Sequence, residues 1–152
     1  MDREILEKGR RMTKKIENML LFMWSVSLTA TLGSLYFSEI RQYEPCELCW
    51  YQRILMYPIV LILTVAYIQK NAKIAATTLV FSIIGFCIST YHYSLQKLDF
   101  LAENAPACGR VPCTGQYINY LGFITIPFLA LIAFLLIAIT SILVLKSIKE
   151  DK

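Results

Sequence analysis

Charged residues are scarce in this chain of 152 residues, because Asp, Glu, Lys and Arg make up only 17% of it. They normally make up about a quarter of a globular protein. Hydrophobic residues account for 57%, and the shortage of charge is concentrated in four long blocks. This deficit excludes an ordinary soluble domain and indicates one membrane domain over residues 1–152. The net charge of +4 lies mostly at the chain ends, so it bears on membrane topology and does not indicate a nucleic-acid partner.

A membrane-spanning helix needs roughly 20 residues, and the four apolar blocks are close to that length or longer. The run Ile54–Ile68 is the shortest, and it spans only if Trp50 and Tyr51 belong to the same helix as interfacial aromatic residues. Pro127 marks either the start of the last helix or a kink in it, since its ring removes a backbone donor. The predicted fold class is an all-α integral membrane protein, a four-transmembrane-helix bundle, with spans at about 19–37, 50–69, 74–93 and 118–145.

The distribution of Lys and Arg predicts the orientation of the bundle. The basic segment 1–18, the turn around Lys70 and Lys73, and the C-terminal tail fall on one side of a four-helix bundle, and they hold most of the 15 basic residues. Because the cytoplasmic side carries the excess of positive charge, both termini are expected in the cytoplasm. The loops 38–49 and 94–117 then face outside the cytoplasm.

Four of the five cysteines form two close pairs, one in each of these outward loops. Cys46 and Cys49 are separated by two residues, and Cys108 and Cys113 by four. A zinc site of four thiolates commonly has a shorter interval between its two pairs than the two spanning helices between Cys49 and Cys108. Such small rings would constrain the unfolded chain little, so they are poor structural staples. Redox exchange is therefore favoured and no metal is expected, with disulfides that brace the loops as the alternative.

The first pair lies where an apolar helix is expected to begin. Cys49 and Arg53 are four residues apart and share a helix face. The helix N-terminus and the arginine both favour a thiolate at Cys49, and an arginine at membrane depth tends to be functional. Because a thiolate attacks a disulfide through a mixed disulfide, the two pairs form a potential relay. The second pair would face a protein, and the first pair a lipid-soluble acceptor such as a quinone.

The run Cys46-Glu47-Leu48-Cys49-Trp50-Tyr51-Gln52-Arg53 resembles the signature of the DsbB family. The resemblance also covers the helix plan and both cysteine pairs. It implies a four-helix protein of the bacterial cell membrane, a protein dithiol:quinone oxidoreductase. Such a protein reoxidises an extracytoplasmic thioredoxin-like thiol-disulfide oxidase of the DsbA type and passes the electrons to the membrane pool of menaquinone or ubiquinone. The short gap between the second pair resembles the compact BdbC-like branch, which works with a BdbD-like partner.

Residue by residue, the resemblance implies that Cys46 and Cys49 form the quinone-coupled disulfide. Cys49 would lie nearest the quinone ring, and Arg53 would position or polarise a quinone carbonyl. Cys108 and Cys113 would form the second disulfide, which faces the partner, with Cys108 in the mixed disulfide. All four cysteines are thus the predicted catalytic residues.

Two further residues are weighed against simpler roles. His92 lies at the outward end of the third span, where the resemblance suggests a contact with a quinone carbonyl or a proton shuttle; an interfacial histidine in water is the alternative. Cys87 lies mid-way along the same span and is expected to pack as a small hydrophobic residue.

At the level of the whole protein, a structural membrane subunit is the rival interpretation. Export of reducing power is weaker, because no cytoplasmic thiol pair would feed it.

Overall fold

The computed structural model describes residues 13–104, 110–114, 119 and 121–150. These residues form four long helices and one short helix, joined by turns and loops. A π-helical turn, Tyr36–Ile40, directly follows the first helix, and a 3-10 turn, Ala72–Ile74, precedes the third. In chain order the helices are α1 (Lys14–Leu35), α2 (Glu47–Ile68), α3 (Ala75–Lys97), α4 (Asp99–Glu103) and α5 (Ile126–Glu150).

The four long helices have the length and composition of membrane-spanning segments. Their outer faces carry exposed large apolar side chains, whereas the interior contains buried small polar residues such as Ser27, Ser82 and Ser141. Small residues let membrane helices approach closely, and lipid is as apolar as the side chains that face it. This inside-out distribution is typical of a bundle in a bilayer. It confirms the predicted all-α, four-helix fold class.

The start of the second long helix agrees with the sequence expectation, whereas the start of the last helix differs from it. Helix α2 begins at Glu47, so it includes Trp50 and Tyr51 as its length required. The last helix begins at Ile126 and not near residue 118. Leu121 and Gly122 just before it have positive φ angles, which a continuous helix does not allow. Pro127 is the second residue of α5, where its missing N–H has no partner to lose.

Helices α1, α3 and α5 also extend into charged residues at their ends. At one end of the bundle, Lys70 after α2 forms a 3.0 Å ion pair with Glu17 in the first turn of α1. This contact places the start of α1 and the turn after α2 together. The start of α2, the end of α3, and α4 lie at the opposite end. Both loops that contain cysteine pairs therefore begin at the same end of the bundle.

The most extensive helix pair is α3 with α5. Gly85 is buried at this contact, and the ring of Phe134, which is fully buried, lies directly against it. A Cβ atom at position 85 would overlap the Phe134 ring. The glycine therefore sets the distance between α3 and α5, and with it the position of His92, two turns further along α3.

Gly85→Ala is expected to destabilise the bundle by about 1–3 kcal/mol, the usual cost of an overpacked core. Thermal unfolding in one detergent, followed by circular dichroism, should show a lower midpoint. Gly33→Ala is the matched control, because nothing lies within 4 Å of a Cβ added there. Equal midpoints for wild type and Gly85→Ala would show that the α3–α5 contact does not depend on the glycine.

Candidate redox site at the start of helix α2

The first cysteine pair lies at the boundary between loop and helix. Cys46 is the N-cap of α2, with extended backbone angles, and Cys49 lies in the first turn. This placement brings the two sulfur atoms to 3.2 Å, and the Cys46 thiol donates a hydrogen bond to Cys49 Sγ. Both residues are free thiols in this structure. Cys49 is thus the acceptor of the pair, the position that a thiolate would occupy.

Cys46 faces the protein interior. It is buried, and it packs with Leu95 of α3 and with Cys113 of the second loop in one small cluster. The hydrogen bond that its thiol donates to Cys49, together with burial, raises the pKa of Cys46 to about 12. A contact with His92 acts in the opposite direction on this pKa. Cys46 is therefore a protonated thiol at neutral pH in the reduced pair.

His92 is fully buried at the end of α3, with its Nε2 atom 3.6 Å from Cys46 Sγ. Its other ring nitrogen, Nδ1, lies 3.1 Å from the side-chain nitrogen of Gln52. Gln52 belongs to α2, one turn after Cys49, and is also buried. The histidine therefore contacts the cysteine pair directly. It does not meet water, so it is not the interfacial histidine of the simpler interpretation.

A largely apolar cleft of about 550 Å³ opens between α1, α2 and α5. Cys49, Gln52 and Arg53 are among its polar wall residues. Cys46 and His92 are not among its lining residues. The two thiols thus face different surroundings: Cys49 the cleft, Cys46 the second loop and α3. The apolar part of the wall includes Phe22, Val26, Phe37, Met56, Leu129 and Phe134.

Arg53 is half-buried on the wall of this cleft. One of its guanidinium nitrogens donates to the backbone carbonyl of Ser34 at 3.0 Å. The guanidinium also lies over the Trp50 ring, 5.4 Å from its centroid. Among the described residues no carboxylate forms an ion pair with it. Since a guanidinium has five N–H donors, donors remain for a ligand in the cleft.

The sulfur atoms of Cys46 and Cys49 and a ring nitrogen of His92 lie within 4.8 Å of one another. Structural zinc sites have four protein ligands, one more than this group supplies. The sequence-based expectation of no metal stays a prediction.

The predicted residues of the second loop are only partly described. Cys113 is buried beside Cys46, whereas Cys108 lies outside the described residues, and so does the predicted disulfide between them. The side chain of Cys87 lies on the exposed outer face of α3, so its predicted role as a small hydrophobic residue stays a prediction. On a membrane helix that face meets lipid, so the surroundings of the thiol are apolar there as well.

Comparison with known proteins identifies the family. The family model described as "Disulfide bond formation protein DsbB" matches residues 16–144. The chain belongs to the DsbB family. It is 62% identical over 135 residues to a "Probable disulfide formation protein C" of Halalkalibacterium halodurans, with 89% of this chain and 98% of the relative covered.

A second relative carries the same kind of name. The "Disulfide bond formation protein C" of Bacillus subtilis is 56% identical over 127 residues, which cover 82% of this chain and 92% of the relative. No solved structure gives a significant match. The resemblance to the DsbB family and to its BdbC-like branch is thereby confirmed. The protein is a multi-pass membrane protein that acts in disulfide bond formation, as a disulfide-forming oxidoreductase that works with a thiol-disulfide oxidase.

Gln52 is the residue of this DsbB-family site that reasoning from the sequence did not single out. An uncharged polar residue inside an apolar helix is costly in a membrane and therefore a signal in itself. Its partner, His92, lies 40 residues away on another helix. The signal was thus present, but only the packing of α2 against α3 identifies the contact.

The hydrogen bond between the two thiols makes Cys46 unreactive near neutral pH. In reduced protein, Cys49→Ala removes the acceptor, so the pKa of Cys46 should fall towards its ordinary value and Cys46 should alkylate faster at pH 8–9. The alkylation of Cys46 can be followed across pH by mass spectrometry of the labelled peptides. Cys87→Ala is the matched control and should leave the profile unchanged. An unchanged Cys46 profile in Cys49→Ala would contradict the assigned hydrogen bond.

Proposed function

We propose that this protein is a membrane dithiol:quinone oxidoreductase. It reoxidises an extracytoplasmic thioredoxin-like thiol-disulfide oxidase and passes the electrons to a membrane quinone. The observation that carries the proposal is the position of Cys49 on the wall of an apolar cleft, with Arg53 one helical turn further along the same wall. A thiol that opens onto an apolar cleft suits an acceptor dissolved in the bilayer.

The cleft fits the head group of a quinone. Its volume of about 550 Å³ lies within the range of roughly 300–1,000 Å³ that small-molecule sites occupy, and its few polar groups converge on one part of an apolar wall. The remaining N–H donors of Arg53 would bind a carbonyl oxygen, and the apolar side chains would hold the ring. When bound, a quinone supplies the capacity to take up two electrons and two protons.

The protein's own residues supply the thiol chemistry. The Cys46 thiol donates to Cys49 Sγ, so the negative charge of the reduced pair is placed on the sulfur that faces the cleft. The Arg53 guanidinium is close enough to contribute favourably to that charge, along with the N-terminus of α2. Cys46 then serves as the second sulfur of the disulfide. Cys46 does not line the cleft, and it packs in one cluster with Cys113 of the second loop.

The second loop provides a route from the partner. Cys113 packs against Cys46, so a disulfide that includes Cys113 can exchange with the first pair over a short distance. Cys108 is the residue proposed for the mixed disulfide with the oxidase. For such a partner the loops must face outside the cytoplasm of a bacterial cell, the side that the distribution of Lys and Arg predicts. The same compartment lets disulfides persist.

The assay that tests this function mixes the purified protein with a reduced thioredoxin-like oxidase and a soluble quinone, and follows the loss of quinone absorbance. Cys49→Ser should reduce turnover to background, because no second sulfur replaces it. Cys87→Ser is the matched control and should keep wild-type turnover. Wild-type protein without quinone consumption, or a fully active Cys49→Ser variant, would contradict the proposal. The first outcome is the one expected of a subunit whose disulfides only brace its loops.

Arg53→Gln tests the binding site on the cleft wall. A hydrogen bond from a charged donor contributes about 1.5–3 kcal/mol, so the KM for quinone should rise roughly tenfold or more. The KM for the reduced oxidase should change little, because Arg53 faces away from the second loop. Lys146→Gln, which removes an exposed charge at the far end of α5, is the control. An unchanged quinone KM in Arg53→Gln would remove Arg53 from the quinone site.

A further inference from the structure

A chain of three buried side chains leads from the cleft to the inner thiol. Gln52 lines the cleft, its side-chain nitrogen lies 3.1 Å from His92 Nδ1, and His92 Nε2 lies 3.6 Å from Cys46 Sγ. Gln52 is 6% exposed and His92 is 1% exposed. Buried polar groups are costly unless they are hydrogen-bonded, so this pairing is a specific feature of the α2–α3 contact.

The contacts define the orientation of the imidazole. A side-chain amide nitrogen only donates, so Nδ1 must accept the hydrogen bond from Gln52. A neutral imidazole with its lone pair on Nδ1 carries its hydrogen on Nε2. The Nε2–H group then points at Cys46 Sγ. A sulfur that receives an N–H donor carries negative charge more easily. The Cys49 hydrogen bond and burial raise the pKa of Cys46, and the contact with His92 opposes them.

We propose that Gln52 is a positioning residue for the thiol chemistry, which holds His92 so that its Nε2–H group stabilises negative charge on the sulfur of Cys46. His92 is then a catalytic residue of the inner thiol, and it acts on Cys46 rather than on a ligand in the cleft. This role rests on the proposed function. Cys46 needs such a donor because its thiol is otherwise protonated and buried, whereas a sulfur must be a thiolate to attack a disulfide or to leave from one.

The step in which the role matters is the formation of the Cys46–Cys49 bond. The reduced pair starts as a Cys46 thiol and a Cys49 thiolate. The Cys46 S–H bond breaks, its sulfur bonds to Cys49 Sγ, and the pair loses two electrons and one proton; the other proton left when Cys49 became a thiolate. In the proposed function both electrons go to a quinone, together with two protons: the one released by Cys46 and the one lost earlier by Cys49 or its equivalent from solvent. His92 contributes by stabilising the Cys46 sulfur as its proton leaves.

Several other titratable groups lie near His92. From α2 and its N-cap these are the thiols of Cys49 and Cys46, with the charged Glu47 and Arg53 in the first two turns of the helix. Cys113 lies in one cluster with Cys46 from the second loop. On α3 itself the neighbours in sequence are Tyr91 and Tyr93. The charged residues of α1 and α5 lie at the opposite end of the bundle. Gln52→Met leaves all of these groups in place. Within the described residues, a change in the pH response of Cys46 after this substitution can therefore be attributed to the imidazole.

The decisive test measures the alkylation of Cys46 across pH, in reduced protein that carries Cys49→Ala so that only one thiol of the pair reacts. Gln52→Met keeps the volume of the side chain but removes the donor. The profile should move to higher pH by about one unit, so the rate near neutral pH falls roughly tenfold, the effect of one hydrogen bond to a charged group. Gln69→Met, an exposed glutamine at the other end of the same helix, should leave the profile unchanged.

Two further variants separate positioning from simple packing. His92→Phe should move the profile at least as far as Gln52→Met, and the double variant should go no further than His92→Phe, because Gln52 acts through His92. Gln52→Leu provides the same loss of polarity with a different shape, and the thermal midpoint of each variant identifies any that fails to fold. An unmoved Cys46 profile in Gln52→Met and Gln52→Leu, or additive effects of Gln52→Met and His92→Phe, would overturn the proposal.

The quinone assay separates this inference from the function on which it rests. If wild-type protein consumes no quinone although Cys46 responds to Gln52 as expected, the quinone function fails and the positioning role stands. If turnover is normal but the Cys46 profile does not respond, the positioning role fails and the function stands. A raised KM for quinone in Gln52→Met without any change at Cys46 would make Gln52 a ligand of the cleft instead.

Discussion

The site depends on one boundary: helix α2 begins between Cys46 and Cys49. Because Cys46 is the N-cap and Cys49 lies in the first turn, the chain rotates between them and the two sulfur atoms meet at 3.2 Å. The same rotation directs Cys49 to the cleft and Cys46 to the second loop. A disulfide between them would therefore connect two separate environments. If the helix began one turn earlier, both thiols would lie on the same helix face. If it began one turn later, both would lie in the loop and the helix would no longer hold them together.

The membrane makes this asymmetry stable. Lipid covers the outer faces, so the bundle does not need a large apolar interior and can bury small polar residues such as Ser82 and Ser89 on α3. The same interior accommodates His92, whose ring has a partner at each nitrogen. Trp24 of α1 likewise donates from its indole nitrogen to Thr64 of α2. Gln52, His92 and Arg53 each have a hydrogen-bond partner on another helix, and these bonds help to fix the relative positions of α1, α2 and α3.

Much of the fold follows from the sequence because its signal is local. Uncharged runs of membrane length predict the four helices, and the positions of Trp50 and Tyr51 extend the second run to a full span. The start of α5 was less accessible, since it depends on the positive φ angles at Leu121 and Gly122. Neither residue lies in a run that differs in composition from the helix that follows.

The candidate site likewise has a part that local sequence predicts and a part that it does not. The spacing of the cysteines and of Arg53 identifies the chemistry, since these residues lie within one short stretch. The contacts of His92 and Cys113 with Cys46 join residues that are far apart in sequence. The distance between α3 and α5, which places His92, depends on a single close approach of Gly85 to Phe134. Such contacts arise from the packing of side chains, and no periodicity or composition encodes them.

Arg53 shows how the end of α1 contributes to the site. Its guanidinium donates to the Ser34 carbonyl, two residues before the π-helical turn Tyr36–Ile40. In that turn the backbone pairing changes from four residues to five, an irregularity that recurs at functional sites. The Trp50 face holds the other side of the guanidinium. An arginine anchored by a carbonyl and a ring keeps its full charge, because neither partner neutralises it as a carboxylate would. That charge therefore remains available at the wall of an apolar cleft, beside the sulfur that has to become a thiolate.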